Sequence, residues 1–219
     1  MEKVEIKIFI NDVSIDLVKV NQGTLLLRSN NSFDSPQREV FITHDFYISK
    51  FPITQLQWEI VMNTPPPTKY IGRYRPVDEA SYQDCLNFVN QLSKKTGFHF
   101  IIPTESQWEF AACGGILSKG YKFAGGNDES LLFSRNEIED GYQSLTYDVG
   151  LFKPNELGIF DMNNNVAEWC MWDKEDILKG GVLGYEGGLI WECCGITERI
   201  RESADSYTPN KGIRVILYC

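Results

Sequence analysis

The sequence predicts an α+β domain rich in irregular coil, with a small sheet and two or three short helices. Three observations point there. The N-terminal residues alternate apolar and polar side chains as strands do. One run alone has a long helical period. Residues 114–189 show no such period and carry many Gly, Asn and Asp. With 18 Gly and 13% aromatic residues, the composition favours a loop-rich fold over a helical bundle.

The elements follow in order. Val4, Ile6 and Ile8 alternate up to Asn11-Asp12, and Ile15 and Leu17 resume the pattern, which reads as a β-hairpin with an Asx turn. Residues 1–19 are read as a hairpin extension and residues 20–219 as the domain proper. Gly23 to Arg28 and Glu39 to Lys50 are strand-like and flank a polar loop, Ser29 to Arg38. Thr54 caps a short helix, Gln55 to Met62, with Leu56, Ile60 and Val61 inward, and Pro65-Pro66-Pro67 ends it. That proline triplet reads as a simple loop or a stiff surface segment. The best helix runs from Ser81 to Ser93, marked by Cys85, Leu86, Val89 and Leu92 on one face and by Gly97 beyond its end. Phe98 to Ile102 is a strand. Thr104-Glu105-Ser106-Gln107 has capping-box form and opens a helix, Glu105 to Ala112, stopped at Gly114-Gly115. Ile213 to Leu217 is the last strand. The coil of 114–189 must be held by something other than a regular ladder.

Charge and composition exclude several function classes. The 219 residues are 42% hydrophobic and 23% charged, unlike collagen, coiled-coil or disordered chains. With 21 Lys+Arg against 30 Asp+Glu, the net charge of -9 argues against nucleic acid or an anionic membrane as partner. No stretch approaches the roughly 18 apolar residues of a membrane span. The start reads as a strand and not as a signal peptide, so a cytoplasmic location is expected; export is the alternative if a leader has been removed. Six cysteines show no small-scaffold spacing and read as buried or free thiols. The two histidines, His44 and His99, stand too far apart in sequence to suggest a His-rich metal centre.

Several words occur in a telling order: Phe51-Pro52-Ile53-Thr54, then Ile102 to Ala112 (IPTESQWEFAA), then Asn155 to Met162 (NELGIFDM), then Asn165-Val166-Ala167-Glu168-Trp169, Lys179-Gly180-Gly181 and Gly212-Ile213-Arg214. Their order and spacing over residues 20–217 resemble the formylglycine-generating-enzyme, or sulfatase-modifying-factor, family. The resemblance implies a C-type-lectin-like fold with a small twisted antiparallel sheet, short helices and much coil. It leaves Trp108, Phe110 and Trp169 as core, Glu105 and Glu109 as caps or ion-pair partners, and Arg214 as half of a buried ion pair.

Two words suggest hard-cation chemistry. Asp161 to Trp169 places two carboxylates and three amides within eight residues of turn-prone chain. Ca2+ takes roughly 6–8 oxygens at about 2.3–2.6 Å, though a solvated acidic turn has the same residues. The resemblance implies a structural calcium site with the Asp161 and Glu168 side chains and the Asn164 and Val166 carbonyls. The family usually has Gly at the position of Asn164, and Asn tolerates left-handed backbone angles. A second implied site uses the side chains of Asn136 and Asp140 and the carbonyls of Glu137 and Tyr142; read without the family it is a charged surface loop.

Active members of the family oxidise a cysteine of sulfatase precursors to formylglycine with O2 and copper. The copper is held by two cysteines five positions apart, because soft Cu(I) needs opposed thiolates. No two cysteines here have that spacing. Aligning Arg201 with a later family arginine brings Cys193 near the second position and leaves Gly188 at the first; aligning Arg199-Ile200-Arg201 places Thr197 and Glu192 there. Cys193 and Cys194 are the weak catalytic candidates that remain, and copper is not expected. The expectation is therefore a pseudoenzyme that binds a peptide or protein ligand in the former catalytic cleft, with Tyr185 and Trp191 as aromatic anchors. Inward packing of both rings is an equal reading. An active oxidase and a retroelement-diversified receptor-binding protein are the alternatives.

Overall fold

The computed structural model describes residues 4–27, 38–128, 146–163, 165–171 and 211–218. Strand β1 (Glu5–Ile10) turns through Asn11, at φ 53°, into β2 (Val13–Val20). An L residue adopts that left-handed angle most readily when it is Asn, so the expected hairpin turn falls where its chemistry allows. Then come β3 (Gly23–Leu27), β4 (Arg38–Ile42) and β5 (Phe46–Ser49), followed by α1 (Gln55–Met62) and α2 (Tyr82–Thr96). Strand β6 (Phe100–Ile101) leads to α3 (Glu105–Ala112). The pair β7 (Ala167–Glu168) and β8 (Lys211–Gly212) is parallel, and β9 (Ile216–Tyr218) closes the described chain.

The central sheet has the order β1-β2-β5-β9-β6, and every pair in it is antiparallel. Both of its faces are covered. Leu17, Val215, Leu217 and Phe100 point into a core shared with α1 and α2, built on Trp58, Phe88 and Leu92. Their neighbours Val18, Ile216 and Ile48 point the other way, into a core with α3 and the β3–β4 ribbon, built on Trp108, Phe110 and Val40. Successive strand residues thus serve opposite layers. This placement also defines the N-terminal hairpin: β2 pairs with β5 from Leu17↔Ser49 to Val20↔Phe46 and is buried on both sides. It is an inner strand of the sheet, continuous with the domain.

The three α-helices among the described residues begin with the same device. Thr54, Ser81 and Thr104 accept a hydrogen bond from the backbone three residues on, and Gln57, Asp84 and Gln107 return one to the cap. Two of the four unpaired amides at each start are satisfied this way. Helix α2 runs three residues past the expected Ser93, to Thr96, and stops at Gly97 (φ 76°). The following strand is correspondingly shorter than Phe98 to Ile102. In α1 the inward side chains are Trp58 and Val61, with Leu56 and Ile60 only partly buried. The expected final strand, Ile213 to Leu217, starts later than its apolar run: Ile213 to Val215 form no ladder and β9 begins at Ile216, while Gly212 before them pairs with Glu168.

The irregular coil is held by amide side chains that stand in for missing strands. Asn163 accepts from the Ala124 N–H (2.8 Å) and donates to the Ala124 carbonyl (2.9 Å), as a paired backbone would. Asn165 does the same to Tyr147 (3.0 and 3.2 Å). Asn155 donates to the Ala111 and Ala112 carbonyls at the end of α3 and accepts from Leu157 and Ile159. Each buried backbone group so paired escapes the cost of an unmade bond.

Candidate functional site

Where β7, β8 and the coil before β7 meet the sheet, the interior holds charge. Arg214 is fully buried and its Nε donates to both Glu168 oxygens, at 2.8 and 2.9 Å. Nη1 donates to the Ser49 carbonyl of β5 (2.9 Å) and Nη2 to the Phe160 carbonyl. Trp108 of α3 donates its indole N–H to Glu168 Oε2. One guanidinium therefore ties the sheet, the coil and β7 together, as the sequence expectation of a buried Arg214 ion pair requires. Trp108, Phe110 and Trp169 lie in the core as expected.

Asp161 is 3% exposed and sits at φ 57°. Its Oδ2 accepts from the Gly150 N–H at 2.7 Å, whereas Oδ1 is buried with no hydrogen-bond partner. Gly150 is at φ 82°, and a Cβ there would lie 2.8 Å from the Phe51 ring, so this amide can approach only from a glycine. Burial pushes the Asp161 carboxyl up to about 6, against the Gly150 amide and the nearby Arg214 charge, which both pull it down. Burial raises Glu168 as well, opposed first by Arg214 and then by Trp108, while the Asp161 charge adds to the rise. The two buried carboxylates both feel the Arg214 charge, and the guanidinium pairs directly with Glu168.

Of the residues the resemblance assigned to the first calcium site, Asp161, Val166 and Glu168 are described and Asn164 lies outside the described residues. Glu168 differs from that assignment in one respect: both its oxygens already accept from protein donors, beside a guanidinium that repels a second cation. Of the two carboxylates assigned to that site, the oxygen without a hydrogen-bond partner is Asp161 Oδ1. Asn136, Glu137, Asp140 and Tyr142, the ligand-anchor residues Tyr185 and Trp191, and the cysteines Cys193 and Cys194 all lie outside the described residues. Among the described residues no group of three or more His, Cys, Asp or Glu is arranged to hold a metal. Cys85 and Cys170 are buried and Cys113 is half-buried. Sequence reasoning missed Asn155, Asn163 and the Asp161–Gly150 contact; the one signal was the density of Asn and Gly in this coil.

Comparison with known proteins defines the class. Residues 11–218 match the sulfatase-modifying factor enzyme 1-like domain. The chain belongs to the formylglycine-generating-enzyme, or sulfatase-modifying-factor, family. It is 27% identical to the chaperone protein LppX of Paenibacillus barcinonensis, covering 93% of this chain and 90% of that one. It is 28% identical to the inactive C-alpha-formylglycine-generating enzyme 2 of Bos taurus, covering 64% of this chain but only 49% of that protein's length. The Treponema denticola variable protein 1 structure superposes with a TM-score of 0.79 at 20% identity, covering 99% of both chains. That likeness establishes the lectin-like α+β fold. The start of the family match at residue 11 takes in β2, in keeping with its place inside the sheet.

Proposed function

We propose that this chain is a non-oxidising member of its family, a module that binds a peptide or protein ligand where its enzymatic relatives hold their substrate. The carrying observation is the absence, anywhere in 219 residues, of two cysteines five positions apart. Without opposed thiolates the family's copper chemistry has no seat. Cys113 and Cys85 do not replace them: desolvation and the charges of Glu109 and Glu156 push Cys113 up to about 12, and burial raises Cys85 well above its usual range. A protonated thiol is a poor metal ligand. The names of two relatives, a chaperone and an inactive enzyme, accord with this reading. Tyr185 and Trp191 are its proposed anchors. No helix among the described residues is long and apolar enough to cross a membrane.

The test is to incubate the chain with Cu(I), O2 and a Cys-x-Pro-x-Arg peptide and follow the peptide by mass spectrometry. The expected outcome is an unchanged cysteine; conversion to the aldehyde overturns the proposal.

Calcium is proposed as a structural ion at Asp161, where a buried, unpartnered carboxylate oxygen fits a hard cation. Chelation should lower the melting temperature of the parent and leave Asp161→Asn unmoved. In chelator the parent's stability should fall relative to Asp161→Asn as pH rises from about 4 to about 6, because the folded state holds that proton longer than the unfolded chain. Equal melting with and without chelator, with no divalent ion by elemental analysis, would remove calcium from the account.

A further inference from the structure

The segment Lys69-Tyr70-Ile71-Gly72-Arg73-Tyr74-Arg75 carries three positive charges and no acid, in a chain of net charge -9. It is irregular, yet its backbone is fastened along its length. The buried Gln55 side chain donates to the carbonyls of Tyr70 (2.8 Å) and Pro76 (3.1 Å) and accepts from the Gly72 N–H (2.9 Å). The carbonyls of Arg73 and Arg75 accept the Leu56 and Gln55 amides at the start of α1. The Tyr74 carbonyl accepts from Val149, and Arg75 N–H donates to Gly72. Those bonds hold a loop whose side chains do little for the core. Ile71 is 90% exposed and Tyr74 57% exposed; Arg73 is exposed too. The Arg75 stem lies across Gly72, where a Cβ would come within 2.6 Å of its Cδ. Among the described residues, Arg73 and Arg75 form no ion pair.

A branched apolar side chain left almost wholly in water on a rigid loop has no folding role to explain it, and rigid loops that present Tyr and Arg are the usual seats of binding energy. We propose that residues 69–75 form a docking surface for an acidic segment of a partner protein that carries an apolar or aromatic side chain between its carboxylates. The guanidinium groups of Arg73 and Arg75 take the carboxylates, and Ile71 and Tyr74 take the apolar side chain. A protein segment fits better than a nucleic acid or an anionic membrane. Exposed charges are felt over about 8 Å at physiological salt, so a short peptide meets the local positive charge while an extended polyanion meets the acidic remainder. Two acids temper the local charge without cancelling it: Asp148, exposed beside Val149, and the buried Asp78, whose carboxylate accepts from the Lys69 N–H at 2.8 Å. The inference uses none of the residues assigned to the ligand cleft and stands without that reading.

The experiment selects phage-displayed random dodecapeptides on the immobilised full chain. Recovered peptides are then measured by fluorescence anisotropy against the parent, Ile71→Ser, Arg73→Glu and Tyr185→Ala/Trp191→Ala. Because Ile71 and Arg73 are exposed, their variants should melt with the parent. Expected are peptides with at least two Asp or Glu around an apolar residue, binding Arg73→Glu and Ile71→Ser about tenfold or more weakly. The same peptides should bind the Tyr185/Trp191 variant unchanged and weaken as salt rises from about 50 to about 500 mM. Recovered peptides without acidic enrichment, undiminished binding to Arg73→Glu, or displacement by oligo-dT at equal concentration would each overturn the proposal.

Discussion

Arg214 and Glu168 show what a single buried charge costs when its partner goes. Replacing Arg214 with Met keeps much of the volume but leaves Glu168 charged with only the Trp108 indole. It also orphans the Ser49 and Phe160 carbonyls. Removing one partner of a buried pair costs about 3–5 kcal/mol. Urea unfolding of Arg214→Met should show a loss of that order, and adding Glu168→Gln should recover part of it. A single-variant loss near zero would mean the pair is not what joins coil to sheet. The buried ion pair was legible for Arg214, because an arginine in an apolar strand must be paired. Its partner was assigned to a cation, because a carboxylate in a turn-rich word carries the same letters whether it faces a metal or a guanidinium. Only the three-dimensional approach of β7 to β8 separates the two.

At the scale of elements, the helices were the most readable parts, since capping boxes and amphipathic spacing are local chemistry. The coil was not, because Asn155 works on carbonyls 43 and 44 residues away. A side chain that closes the end of α3 and also holds Leu157 and Ile159 should matter more than a cap. Asn155→Ala is expected to cost more than Ser81→Ala, whose loss of a capping hydrogen bond is about 1 kcal/mol. Denaturant midpoints at a shared slope measure both, and the reverse order would show that the coil is anchored elsewhere. The late start of the last strand was also invisible in its letters. Gly212 ends β8 where a Cβ would lie 2.7 Å from the Val77 carbonyl, a close approach that apolar periodicity does not announce.

For the whole molecule, the family resemblance carried the fold, and the local patterns carried its strands and helices. What neither showed is that the N-terminal hairpin is structural to the centre. Deleting residues 1–20 removes β2, the only neighbour of β5 in the sheet besides β9, and exposes both cores. The truncated chain should lose its near-ultraviolet circular dichroism and its cooperative melt. A truncation that melts like the parent would return the hairpin to the status of an appendage. The placement of β9 between β5 and β6 has a further meaning for synthesis. Residues 211–218 bring an inner strand and the guanidinium at once, so a ribosome that has made everything up to residue 210 holds an unclosed sheet and an acid awaiting its counter-charge. Such a polypeptide cannot settle piece by piece as it emerges, and its layers stay exposed and adhesive until residues 211–218 have been added.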